Sequence, residues 1–281
     1  MKVYKTKSEL KYFLSKIKND KKSIGFVPTM GALHQGHLSL VEKSKKKNDV
    51  TVVSIFVNPT QFDNKEDLGK YPKTFENDVK LLESVNCDVL FFPSVAEIYN
   101  DTIEAENFNF DGLEHQMEGK FREGHFNGVG TIVKTFFEIV RPDNAYFGKK
   151  DFQQLQIIKK MVEKHALPIK IKACDIYREN DGLAMSSRNA RLTKEHRNSA
   201  PFIYKTLKKA KKKFDKKSAN ELTEWVKKQF KKHPLLELEY FTIADEKTLQ
   251  TATIIDSSEK YRGFIAVFAG DIRLIDNIRL K

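Results

Sequence analysis

SIGFVPTMGALHQGHLSLVEKSKKKNDVTVVSIFVNP, residues 23–59, changes its hydrophobic rhythm twice, and those changes decide the fold class. The run 23–27 is short and apolar and closes at Pro28, which reads as a buried strand. A glycine-bearing turn over 29–37 opens into a helix carrying Leu38, Leu40 and Val41. The run 50–57 is a second buried strand, ending at Asn58 and Pro59. Strand, turn, helix, strand is a βαβ unit, and strands without polar alternation belong to a sheet covered on both faces.

Working outward, Leu10, Phe13, Leu14 and Ile17 recur at helical spacing over 8–18. Downstream the pattern predicts a helix over 74–85, a strand over 88–92 closed by Pro93, a helix over 130–140 and a strand over 145–147. A helix over 151–164 and a strand over 169–176 follow. This alternation predicts an α/β fold, a Rossmann-like, doubly wound parallel sheet over 1–176. After Arg191 the texture turns to Lys-rich helical segments up to His233, then short strands at 237–243, 253–255 and 263–268. A smaller α+β domain over 177–281 is expected.

The formal charge of +12 on 281 residues raises the question of a polyanionic partner. The lysines concentrate at 43–47, 205–217 and 227–232, and those at 208–213 flank Ala210 as a solvated helix face would. They lack the interleaved aromatics and Arg-rich grooves of nucleic-acid readers, so no nucleic-acid partner is expected. No stretch approaches the ~18 uninterrupted apolar residues of a membrane helix. The charged amino terminus has neither an apolar h-region nor a small-residue cleavage site, so a cytoplasmic protein without a membrane partner is expected. Cys87 and Cys174, far apart beside apolar residues, read as core thiols.

In parallel sheets ligands bind outside the carboxyl ends of strands, so the segments that follow strands are the candidate sites. In residues 28–37, Gly31 and Gly36 permit close approach, and the helix start offers N–H groups and positive dipole character to a phosphate. His34 and His37, three apart, fall on one helix face, suited to donating to phosphate oxygens or simply surface-exposed. A zinc role lacks further ligands at suitable spacing. Gln61 follows the second strand and is either a binding group or a loop residue. In residues 147–154, Gly148, Lys149 and Lys150 suit phosphate, Asp151 is placed as an N-cap or a functional acid, and Gln154 lies one turn on. In residues 183–188, Ser186, Ser187 and Arg188 are a compact donor set, and a flexible hinge there would close over a nucleotide. No P-loop, kinase signature or G-x-G-x-x-G is present.

PTMGALHQGH (28–37) resembles the HIGH-type signature of a nucleotidyltransferase superfamily, and AMSSR (184–188) resembles its KMSKS-type partner. With VSIFVNPTQF (53–62), EGKFREGHFNGV (118–129), FGKKDFQQ (147–154), DGLAMSSRN (181–189) and GDIRLIDN (270–277), the chain resembles the pantothenate synthetase family across residues 24–192 and at the carboxyl end. That resemblance implies ATP-dependent condensation of pantoate with β-alanine through an acyl-adenylate, with Mg²⁺, in a homodimer whose smaller domain is a lid. Carried over by motif, Met30, Gly31, Ala32, Leu33, His34, Gln35, Gly36 and His37 would contact ATP. His34 and His37 would hold its phosphates, with His37 as the residue treated as catalytic. Gly148, Lys149, Lys150 and Asp151 would line the nucleotide site, joined by Tyr177, Met185, Ser186, Ser187 and Arg188, with Lys150 and Arg188 on phosphate. Gln61, Gln154 and Tyr71 would bind pantoate or β-alanine, with Glu118 and Arg122 nearby. The family commonly has an acid at Lys149, methionine at Thr60 and a small aliphatic residue at Tyr177. The competing expectations are a superfamily member that leaves the nucleotidyl group on its acceptor, and a basic nucleic-acid-binding protein.

Overall fold

The apolar runs form the interior of a parallel sheet. In the computed structural model, which describes residues 1–62, 65–100 and 102–281, the chain runs β1 (Lys2–Tyr4), α1 (Lys7–Asn19), β2 (Ile24–Thr29), α2 (Gln35–Lys45), β3 (Val50–Ile55), α3 (Lys65–Gly69), α4 (Phe75–Ser84) and β4 (Val89–Phe91). It continues with α5 (Val95–Tyr99), α6 (Met117–Phe121), α7 (His125–Val140), β5 (Asn144–Gly148), α8 (Phe152–Lys164) and β6 (Lys170–Cys174). The remainder is α9 (Lys194–Ser199), α10 (Phe202–Phe214), α11 (Ala219–Lys231), β7 (Glu237–Asp245), β8 (Tyr261–Ala269) and β9 (Ile272–Arg279).

Among the described residues, β1 to β6 make a six-stranded sheet in the order β1-β4-β3-β2-β5-β6, every pair parallel. Alternate residues serve opposite faces. Val27, Val53 and Leu90 pack with Leu38 and Val41 of α2. Their neighbours Phe26 and Phe91 meet Phe136 of α7 edge to face at 6.0 and 5.9 Å. Both faces are therefore apolar, which is why these strands lack polar alternation. Strand β2 extends through Pro28, paired opposite Ser54, to Thr29 instead of closing at the proline. Pro28 lies beyond Gly25 and Phe26, where β2 pairs with β5, so its missing N–H removes no rung there.

The chain divides into two units. The first comprises Met1–Glu114, Glu118–Lys149 and Gln154–Asp175; the second comprises His115–Met117, Lys150–Gln153 and Ile176–Lys281. The second unit holds a three-stranded antiparallel sheet, β7-β8-β9. Its core joins Ile203, Leu207 and Ala210 of α10 and Leu222, Val226 and Phe230 of α11 to Ile265, Val267 and Leu274 of the sheet. Ala210 is fully buried while its lysine neighbours 208, 209, 211 and 212 are exposed, so that run is one solvated helix face. The strand expected at 253–255 does not form: Thr251 makes a single bridge to Ala244, and the third strand is Ile272–Arg279. Cys87 and Cys174 are free, buried thiols, and burial pushes Cys87 up to about 12.

Candidate functional site

The strand order sets the location. From β2 the chain steps through β3 to β4 on one side and returns to place β5 on the other, so the order reverses between β2 and β5. Loops leaving the carboxyl ends of strands on either side of such a reversal flank a crevice. The loop after β2 is 30–34, and the one after β5 starts at Lys149.

The turn after β2 is built on its backbone. Gly31 and Ala32 have φ of 81° and 48°, the left-handed region, and a Cβ on Gly31 would lie 3.0 Å from Ile55 Cγ2. The Asp78 carboxylate, 1% exposed, accepts from Ala32 N at 2.9 Å and Leu33 N at 2.8 Å, and Thr74 Oγ1 donates to it at 3.1 Å. The N–H groups of Ala32 and Leu33, upstream of the helix start at Gln35, are thus engaged within the protein. Leu33 is itself buried in the core. The signal for Asp78 was legible: it lies three residues after Phe75 and four before Leu82, an acid on an apolar helix stripe.

His34 is also not on the helix face. It is the N-cap of α2 with extended backbone, and its ring stacks on that of His37 at 4.0 Å. Its N–H donates to His37 Nδ1 at 3.3 Å. A backbone N–H only donates, so His37 Nδ1 accepts, and the proton of the neutral ring sits on Nε2 as a donor. Both rings are half-buried at the positive end of an 11-residue helix, with Met30 and Gly36 half-buried and Gln35 exposed beside them.

After β3, the 3-10 turn Pro59–Gln61 is pinned from behind. Gln61 O accepts from His125 Nδ1 at 2.8 Å, which makes His125 Nε2 the acceptor for Arg122 Nη1 at 3.1 Å. Arg122 lies 3.9 Å from Glu118. A Cβ on Gly128 would sit 2.1 Å from Thr60 O, so glycine alone lets α7 lie against this turn. Asn58 Oδ1 accepts from Tyr99 OH, while its Nδ2 donates to Gly128 O at 3.0 Å. Thr60, where the resemblance leads one to expect methionine, brings a hydroxyl to this cluster, 2.9 Å from Tyr99 OH and 3.2 Å from Asn58 Oδ1, its single proton shared between those two acceptors. Tyr71 is buried and meets Phe62 edge to face at 5.8 Å.

After β5, half-buried Gly148 leads into a 3-10 turn, Lys149–Asp151, that runs directly into α8. The helical path therefore starts before Asp151, which is exposed and lies within that turn instead of outside the helix as an N-cap. Lys149 pairs with Asp175 at 2.6 Å and holds that carboxyl below its ordinary range, which accounts for the basic residue there. Lys150 Nζ is 3.6 Å from Asp151 Oδ1. Gln154 is half-buried in the first turn of α8, and its neighbour Gln153 is buried, donating to Gln116 O at 2.7 Å.

In the second unit, residues 177–185 form a hairpin closed by Glu179 N to Leu183 O at 2.9 Å and Met185 N to Tyr177 O at 3.0 Å. Ser186 then caps the 3-10 turn Ser187–Arg191, its Oγ accepting from Arg188 N at 3.3 Å. Met185, Ser186, Ser187 and Arg188 are all half-buried. Within the second unit this hairpin is braced by charge. Arg178 forks onto Asp276 at 2.7 and 2.9 Å and lies over the Tyr204 ring at 3.5 Å. Arg197 bridges Glu179 and Asp181, and Asn189 Nδ2 donates to Glu179 at 2.8 Å. The exposed Tyr177 ring has no explanation in the structure.

The family model described as pantoate-beta-alanine ligase matches residues 2–279. The chain is 55% identical, over 99% of both sequences, to the pantothenate synthetase of Flavobacterium psychrophilum. Its fold is similar to the crystal structure of pantothenate synthetase from Thermus thermophilus, with a TM-score of 0.92, 36% identity and coverage of 100% of this chain and 99% of that one. It is also similar to the pantoate-beta-alanine ligase from Francisella tularensis complexed with beta-gamma ATP and beta-alanine, with a TM-score of 0.82, 35% identity and coverage of 100% and 98%. The chain belongs to the pantoate-beta-alanine ligase family, the pantothenate synthetases.

Proposed function

We propose that this ligase works in two steps on ATP. The pantoate carboxylate attacks the α-phosphorus and expels pyrophosphate; the β-alanine amine then attacks the acyl carbon of the pantoyl-adenylate and releases AMP. The observation that carries this reading is the turn of Gly31 and Ala32 leading to the stacked His34 and His37 rings at the amino end of α2, beside the sheet's order reversal. In-line displacement asks mainly for positioning and charge stabilisation, and Nε2–H of His37 with a helix dipole behind it supplies both. The Francisella relative, complexed with beta-gamma ATP and beta-alanine, supports the same substrates here.

In this reading His34, His37, Lys150 and Arg188 hold phosphate oxygens. Met30, Gly31, Ala32, Leu33, Gln35 and Gly36 border ATP at the first turn, and Gly148, Lys149 and Asp151 at the second. Tyr177, Met185, Ser186 and Ser187 complete its contacts. Gln61 and Gln154 hold pantoate, with Tyr71 beside them. Mg²⁺ would be supplied with the nucleotide, as Mg-ATP. Residues 1–176 bind substrates and 177–281 act as a lid that excludes water from the mixed anhydride. The enzyme acts in the cytoplasm as a homodimer, without a nucleic-acid or membrane partner.

The test is incubation with ATP, Mg²⁺ and pantoate, with and without β-alanine, and identification of products by mass spectrometry. Pantothenate and AMP are expected only in the complete mixture, and an enzyme-held pantoyl-adenylate without β-alanine. A nucleotidyl group retained on the final product would replace this reading with that of a nucleotidyltransferase. Folded protein that forms no adenylate would overturn the two-step scheme.

A further inference from the structure

Strand β9 carries two adjacent buried polar residues, Asp276 and Asn277, 4% and 2% exposed, to which the two-step reaction gives no role. Neighbours on a strand face opposite sides of the sheet. Asp276 shares its side with Leu274 and Leu280, the side of the helical core, and there receives the Arg178 fork of the 177–185 hairpin. Asn277 serves the other side, paired opposite Phe264 of β8, where Phe264 meets Phe152 at 5.9 Å and Arg262 lies over the Phe152 ring at 4.1 Å. Its Nδ2 donates to the backbone carbonyl of Lys150 at 2.7 Å, and its Oδ1 accepts from Arg262 Nη1 at 2.6 Å. The Arg262 guanidinium is itself held at 2.7 Å by Glu246. The two sides are linked, since Asn277 N donates to Asp276 Oδ1 at 2.7 Å.

We propose that Asn277 is a positioning residue for adenylate formation. It fixes the Lys150 main chain, and through Asp276 and Arg178 it shares one strand with the fastening of the AMSSR turn, so both phosphate-binding segments take their register from two consecutive residues. The amide is specifically required. The Asn side chain ends in a donor N–H₂ and an acceptor oxygen, and here the two ends face the Lys150 carbonyl and the Arg262 guanidinium respectively. Aspartate would keep the pairing with Arg262 but set an oxygen against the Lys150 carbonyl, pushing that turn away at nearly unchanged side-chain volume. Reacting groups displaced by about 1 Å lose on the order of a hundredfold in rate.

The proposal rests on Lys150 holding phosphate, so Lys150→Ala is measured alongside. Asn277→Asp is expected to slow pantoate-dependent pyrophosphate release by about tenfold or more per folded enzyme, with the KM for pantoate within about twofold of wild type. In Lys150→Ala the added Asn277→Asp change is expected to cost little more, because its effect passes through Lys150. A wild-type rate in Lys150→Ala would overturn the phosphate role of Lys150 and this proposal with it. A slowed Lys150→Ala beside a wild-type Asn277→Asp, or fully multiplicative losses in the double variant, would overturn the positioning role alone. Asn277→Ala is the second variant should the aspartate unfold the protein, and failure of both to fold would make Asn277 a stability residue and overturn the proposal.

Discussion

The turn at 29–37 and the hairpin at 177–191 are held by different physics. The first is fixed through its main chain: one carboxylate, Asp78, takes two consecutive N–H groups, and two residues sit at positive φ. The second is fixed through side-chain charge: Arg178 on Asp276, and Arg197 on Glu179 and Asp181. A buried carboxylate that shapes a backbone through two short main-chain bonds sets atoms to fine tolerance. Ion pairs tie a segment down from several directions, and their worth depends on burial. The Asp276 side chain is 3% exposed, that of Asp181 39%.

The largest effect is expected where the charge network is most buried. Arg178→Ala leaves the Asp276 carboxylate inside without its partner and should cost about 3–5 kcal/mol, read by urea denaturation. A loss under about 1 kcal/mol would show that the hairpin does not depend on that pair. In the first turn, His37→Ala should lower the rate of pantoate-dependent pyrophosphate release about a hundredfold, near 2.7 kcal/mol of barrier, with the fold intact. An unchanged rate would remove the imidazole from the phosphate site.

Asp78→Asn separates backbone shaping from chemistry. It sets an amide N–H₂ against one of the two N–H groups it must accept from, and should cost about 1–3 kcal/mol of stability. The pyrophosphate-release rate should fall too, because the turn leads directly into His34. Stability lost with the rate per folded molecule unchanged would mean that Asp78 serves the fold alone.

The smallest effect belongs to the exposed pair of Lys149 and Asp175, whose carboxylate side chain is 81% exposed. Lys149 holds the Asp175 carboxyl below its ordinary value. A depressed folded-state pKa stabilises above the unfolded value, about 3.9, and the contribution disappears as pH falls through the folded value. After solvent screening Lys149→Ala should cost a few tenths of a kcal/mol at pH 6 and nothing measurable near pH 2, by denaturation at both. A larger cost at pH 6 would make this pair a structural brace like that of Arg178.

Much of this was legible in the chain itself. The βαβ alternation follows from apolar runs of strand length separated by helical periodicity, and the segments 28–37, 58–62, 147–154 and 183–188 stand out because Gly, Pro and polar clusters follow strands. The sequence by itself therefore determined the α/β class and the places where polar and glycine-bearing turns follow strands, since periodicity and turn residues act over a few neighbours. Only the tertiary structure decided the strand order that reverses between β2 and β5, and the third strand at Ile272–Arg279 instead of 253–255. It alone decided how each turn is held, because Asp78 meets Ala32 across 46 residues, Asp276 meets Arg178 across 98 and Asn277 meets Lys150 across 127. Local pattern can mark a charge on a buried stripe, as at Asp78 and Asp276, but which distant group compensates that buried charge is settled by packing alone.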